Sequence, residues 1–130
     1  MSNIFNEIEK KFKLFKTVGA NKEQIREAEK ELGLIFPSEY SKYLEDFGAI
    51  SFGSVEITGL NIDNYANVVN LTKKERERDP DFPKDAFVIQ NTGIDGVIVL
   101  MNESGLVFFW QNGKIGRSFK SLNDYLLSLI

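Results

Sequence analysis

Nineteen acidic and sixteen basic side chains, with no histidine and no cysteine, set the limits of what this chain can do chemically. Without imidazole or thiol there is no Ser-His-Asp triad, no Cys-His pair, no disulfide framework and almost no route to a zinc site. Carboxylates remain. Glu45-Asp46 and Asp79-Asp81 lie close together in the chain. Acid–base catalysis by two carboxylates, however, needs a fixed separation across a cleft, which closeness in sequence does not supply. Asp63, with Asn61 and Asn64 beside it, offers oxygens to a hard cation but lacks the twelve-residue ligand spacing of a calcium loop. No recognised catalytic spacing is present, so the expectation is a protein that is not an enzyme and carries no cofactor or metal.

Gly93-Ile94-Asp95-Gly96 and Glu103-Ser104-Gly105 resemble phosphate loops only superficially. A phosphate cradle needs its glycines to open a helix, so that N-terminal N–H groups face the anion. These glycines connect three short apolar runs, Phe87-Val88-Ile89, Val97-Ile98-Val99-Leu100 and Leu106-Val107-Phe108-Phe109-Trp110. The runs are rich in β-branched and aromatic residues and are bounded by Gly, Asn or Asp, the signature of strands. Asn112-Gly113 is a hairpin turn of type I′, because both central positions require φ > 0. Phe87 to Ile115 therefore forms an antiparallel β-meander with short connections. Strict alternation puts Val107 and Phe109 on one face and Leu106, Phe108 and Trp110 on the other. Both faces are apolar, so either helices cover both or one is left exposed for binding.

The remaining elements frame this meander. Ile4, Phe5, Ile8, Phe12 and Phe15 form one apolar face of a first helix capped by Ser2, and Glu7, Glu9, Lys10, Lys11 and Lys13 form its solvated face. Asn21 and Gln24 have capping-box spacing for a second helix through Ile25, Ala28 and Leu32, closed by Gly33. Leu34 to Pro37 is extended, since a residue preceding proline avoids the helical region. Ser38 caps a third helix through Tyr40, Tyr43, Leu44 and Phe47 that ends at Gly48. Ser51 to Leu60 reads as a single strand, with Phe52, Ser54, Glu56 and Thr58 on one face. A fourth helix runs from about Tyr65 to Arg76, and Asp79-Pro80-Asp81-Phe82-Pro83 ends it. A short returning segment, Lys114 to Arg117, follows the meander. Ser121 and Asp124 open a last helix with Leu122, Tyr125 and Leu126. The expected fold is α+β, a single domain over residues 1–130 with an antiparallel β-meander sheet flanked by helices.

A chain of 130 residues buries about two-thirds of the surface its unfolded form exposes. The net charge of −3 is mild and the signs are mixed, as in Lys73-Lys74-Glu75-Arg76-Glu77-Arg78-Asp79. No basic stripe suited to a phosphate backbone is present, which argues against direct nucleic-acid binding. No apolar run approaches the ~20 residues that span a bilayer. The first residues lack the basic and apolar regions of a signal peptide. The expected location is the cytoplasm, with no membrane association. Exposed aromatics beside acids are the remaining candidates for a protein interface: Phe52, Glu56, Asp63, Tyr65, Asp95 and Trp110.

Leu34-Ile35-Phe36-Pro37-Ser38-Glu39-Tyr40-Ser41-Lys42-Tyr43-Leu44-Glu45-Asp46-Phe47-Gly48, followed by Phe52 and Glu56-Ile57-Thr58-Gly59-Leu60, resembles the SUKH superfamily. The downstream half, with Asp95-Gly96, Gly105-Leu106-Val107, Trp110 and Ser118-Phe119 before a terminal Tyr-Leu helix, is similar to it as well. Two departures stand out: Phe47-Gly48 occupies the place of a common Asn-Gly, and Ile35-Phe36 that of a plain Leu. The resemblance implies an antiparallel sheet flanked by helices and a non-enzymatic role. Many bacterial members are immunity proteins that bind and neutralise the C-terminal domain of a polymorphic toxin, often a nuclease, inside the producing cell. Eukaryotic relatives are regulatory scaffolds, and an intracellular scaffold is the other reading. The family fixes no interface residue, and neither the toxin nor the oligomeric state follows from it.

Overall fold

The computed structural model describes residues 4–63 and 66–130. In chain order these form α1 (Ile4–Lys11), β1 (Phe15–Lys16), α2 (Lys22–Leu32), α3 (Ser38–Phe47), β2 (Ile50–Phe52) and β3 (Val55–Ile57). Then follow α4 (Val68–Arg78), β4 (Ala86–Asn91), β5 (Ile98–Asn102), β6 (Val107–Gln111), β7 (Lys114–Phe119) and α5 (Leu122–Leu127). Two antiparallel sheets result, β1-β2-β3 and the meander β4-β5-β6-β7. This is the α+β fold the sequence leads one to expect.

Local signals account for many boundaries. Asn21 Oδ1 accepts from the Gln24 N–H at 2.8 Å, Gln24 Oε1 accepts in return from the Asn21 N–H at 2.9 Å, and Gly33 closes α2 in the left-handed region. Ser121 Oγ accepts from the Asp124 N–H and opens α5. Asn112 and Gly113 both take positive φ, 51° and 78°, as a type I′ turn demands. Three details differ from expectation. Pro37, not Ser38, precedes the first turn of α3, and it gives no side-chain cap. Asn67 caps α4, two residues beyond the expected start. The first helix ends at Lys11, so Phe15 leaves the helical face for β1; the Ser2 cap lies outside the described residues.

Helices cover both faces of the meander. Phe87, Ile89, Val99, Met101 and Val107 join the main core with α1, α2, α3 and α5. Val88, Ile98, Leu100, Phe108 and Trp110 pack with Leu71 of α4 and Phe82 as a second cluster. The two apolar faces of β6 are both core, as the alternation allowed. The small sheet is stitched to the meander through Thr58. Its N–H donates to Ile89 O and its hydroxyl to Val88 O, each at 2.8 Å, where the β4–β5 register slips around Ile89. Among the described residues no helix is long and apolar enough to cross a membrane.

Candidate interaction surface

Ser51 to Leu60 is not one strand. Gly53, with φ of 56°, and Ser54 form a turn, and Phe52 pairs with Val55 in the β2–β3 hairpin. The turn reverses the side-chain parity of a continuous strand. Phe52 therefore joins Ile50 and Ile57 on the inner face, 1% exposed and 5.5 Å from the Phe12 ring. Its place as a surface anchor is withdrawn, because its ring is core.

Phe15 takes that position. It stands opposite Ser51, and Ser51 stands opposite Glu56. Cross-strand partners project to the same side of a sheet, so Phe15, Ser51 and Glu56 form a row on the outer face. Phe15 is 56% exposed, with the Lys13 ammonium 5.3 Å from its ring centre. The helical periodicity of Ile4 to Phe15 hid this, because a two-residue strand is fixed by its partner rather than by its own sequence.

Glu56 shares a crevice of about 200 Å³ with Thr58, Ala66 and Asn91, at the seam of the two sheets. Asn91 leads into the β4–β5 loop that carries Asp95, whose φ is 52°. Asp95 is exposed, and its carbonyl accepts from Gln111 Nε2 at 2.7 Å, which ties this loop to the β6–β7 hairpin. Asp63 is exposed in the loop preceding Ala66. Tyr65 lies outside the described residues. Trp110 is withdrawn as an anchor: it is 7% exposed, packs near Phe82, and donates its indole N–H to Asp79 Oδ2 at 2.9 Å. What the fold brings together is Phe15 with Glu56 in one row, and Glu56 with Asn91 in the crevice; the exposed Ile94 (65%) and Asp95 follow Asn91 in the β4–β5 loop.

Several of the other groups that drew chemical interest have structural partners. Asp79 also accepts from the Asp81 N–H, and Asp46 pairs with Lys42. Asn61 donates to Val18 O and accepts from Gln24 Nε2. Glu29 and Glu103 receive the Phe36 and Ile35 N–H groups at 2.7 and 2.8 Å. A concavity of about 610 Å³ lies between α1, α3 and α5, and none of the six interface candidates lines it. Its Glu39 carboxylate accepts from the Leu122 and Asn123 N–H groups, which seats the start of α5 on α3. Burial pushes the Tyr40 and Tyr43 hydroxyls well above their usual range and Tyr125 up to about 12. Such hydroxyls serve as hydrogen-bonding groups: Tyr43 accepts from the Ile50 N–H and donates to Thr58 O, while Tyr125 donates to Gln90. Among the described residues no three acidic side chains gather as a metal site would require.

A protein from Pseudomonas syringae pv. tomato, known from a crystal structure, is similar to the chain, with a TM-score of 0.81. It is 14% identical over 99% of this chain and 97% of that one, a likeness that speaks for the fold. No curated protein matches. The family model SUKH_5, described as SMI1-KNR4 cell-wall, matches residues 1–130. With this match over its whole length, the chain belongs to the SUKH_5 family of the SMI1-KNR4 group.

Proposed function

We propose that this chain is a cytoplasmic immunity protein that binds a cognate polymorphic toxin domain, of the nuclease kind, and neutralises it by occlusion. The observation that carries this reading is the row Phe15–Ser51–Glu56 on the outer face of the small sheet, exposed at Phe15 and Glu56. An aromatic anchor beside acids is the composition of a protein interface. The exposed Asp63 and Asp95 add negative charge to the surface, and a nuclease domain, which must hold phosphate, offers the opposite sign. Complementary charge speeds encounter and selects the partner. Family membership supports the reading, because many SUKH proteins act in this way. The engagement of Asp79, Glu39, Glu29 and Glu103 in structural hydrogen bonds favours binding over catalysis. On this account the protein needs no cofactor and touches neither nucleic acid nor membrane.

Co-expression with a toxin domain found encoded beside it tests the proposal. Growth restored by the wild-type chain and lost with Phe15→Ala/Glu56→Lys is the expected result. Failure of the wild-type chain to protect would overturn the reading and favour the intracellular scaffold.

A further inference from the structure

We infer that the outer edge of β7 is a strand-addition site that takes an extended acidic segment of a protein partner. The small sheet adjoins β4, at the opposite edge of the meander. This second surface goes beyond the immunity reading and does not depend on it.

The meander runs in the order β4-β5-β6-β7, so β4 and β7 are its edges. The β4 edge is occupied, because Thr58 donates its N–H to Ile89 O and its hydroxyl to Val88 O. The β7 edge is open. Among the described residues its backbone bonds to β6 alone, and no other main chain or side chain meets its outward N–H and C=O groups. Lys114 to Ser118 are all exposed, the longest exposed run of any strand here. Such an edge is a row of unmet donors and acceptors, which an added strand completes.

Charge selects what can pair there. From Ser104 to Asn123 the chain carries Lys114, Arg117 and Lys120 and no acid, although its net charge is −3. Among the described residues none of these three cations has an ion-pair partner. The Arg117 guanidinium lies 4.8 Å from the centre of the Phe119 ring, which steadies it without satisfying its N–H groups. Lys114 stands opposite Gln111 and Phe119 opposite Val107, so both project to the side of the main core, as Arg117 does. Ile115, 66% exposed, stands opposite Trp110 and projects to the other side. The complement is an extended segment with carboxylates on one face and apolar side chains on the other.

Other occupants fit less well. A second copy of this edge would set basic side chains against basic side chains, and like charges across strands repel. The bulge between Ile115 and Ser118 further keeps the edge from joining its own kind. The same cations attract an acidic strand. A phosphate backbone would meet them too, but it has only acceptors and leaves the edge carbonyls unmet.

Fluorescence anisotropy and amide NMR on the full chain test this with a labelled peptide of alternating Glu and Val, as long as β7. Wild type should bind it, with amide shifts centred on Lys114 to Ser118. Lys114→Glu/Arg117→Glu should weaken binding about tenfold or more, as reversal of two exposed ion pairs does. Both positions are exposed, so its unfolding midpoint should stay close to wild type. The same peptide N-methylated throughout keeps its charge but loses the donors that strand addition needs, and should not bind wild type. Equal binding of the N-methylated peptide would reduce the contact to charge and overturn strand addition. No binding of the unmodified peptide, or tighter binding of a single-stranded oligothymidylate, would overturn it as well. Each of these outcomes leaves the immunity reading intact.

Discussion

The indole N–H of Trp110 donates to Asp79 Oδ2 at 2.9 Å, linking the middle of the meander to the end of α4. One bond thus removes two residues from functional consideration, the only tryptophan and one member of an acidic pair. Asp79→Ala leaves the indole N–H without its partner and frees the Asp81 N–H. A hydrogen bond to a charged group contributes about 1.5–3 kcal/mol. Chemical denaturation should show a loss of that size, with binding of the proposed partner by the folded fraction unchanged.

Phe15 and Phe52 should separate stability from binding. Phe52→Ala removes a ring that is 1% exposed and should cost about 3–5 kcal/mol. Phe15→Ala removes a ring that is 56% exposed and should change stability by no more than about 0.5 kcal/mol, as ordinary surface substitutions do. If the outer face of the small sheet is the interface, only Phe15→Ala weakens partner binding while leaving the fold intact. Urea midpoints and a binding isotherm for each variant decide this.

These two phenylalanines also show where the sequence is legible and where it is not. Asn21 with Gln24, Gly33, and Asn112-Gly113 act over a few residues, so their spacing alone identifies them. The two-residue strand containing Phe15 exists because Ser51 and Ile50 lie beside it, a pairing across more than thirty positions. The inward turn of Phe52 has a local cause: Gly53-Ser54 is itself a hairpin signal, and the hairpin reverses the parity at Phe52. Glu39, Glu29 and Glu103 look like surface charge in the sequence, and only the fold reveals the amides they receive. Trp110 follows the same pattern, since its partner Asp79 lies thirty-one residues away.

Gly59 and Gly48 meet backbone to backbone. A Cβ on Gly59 would stand 1.7 Å from Gly48 O and 2.7 Å from its carbonyl carbon, with no flexible side chain to yield. Gly59 is also where the chain passes from the small sheet toward α4, with its N–H on Ala66 O. Gly59→Ala should therefore cost more than about 4 kcal/mol, a loss reserved for severe disruption. The expected readout is a chain that melts far below wild type or accumulates as insoluble protein.

High pH should unfold the protein through its tyrosines. Burial raises the Tyr40, Tyr43 and Tyr125 hydroxyls, the last to about 12. The folded state therefore holds these protons more tightly than the unfolded chain, whose tyrosines titrate near pH 10. Their contribution is complete below about pH 10 and is lost as the pH rises from there towards the folded values. Denaturation midpoints should fall across that window, and Tyr125→Phe should make the fall shallower. An unchanged slope in that variant would remove Tyr125 from the effect.

The most direct measurement of the proposed immunity function is a calorimetric titration of a toxin domain found encoded beside this chain, at two salt concentrations. The account predicts one-to-one binding at nanomolar Kd or tighter, as inhibitor complexes often show, weakening as salt screens the acidic surface. It also predicts that the saturated toxin is inactive. An absence of heat at both salt concentrations, with the toxin still active, would contradict it.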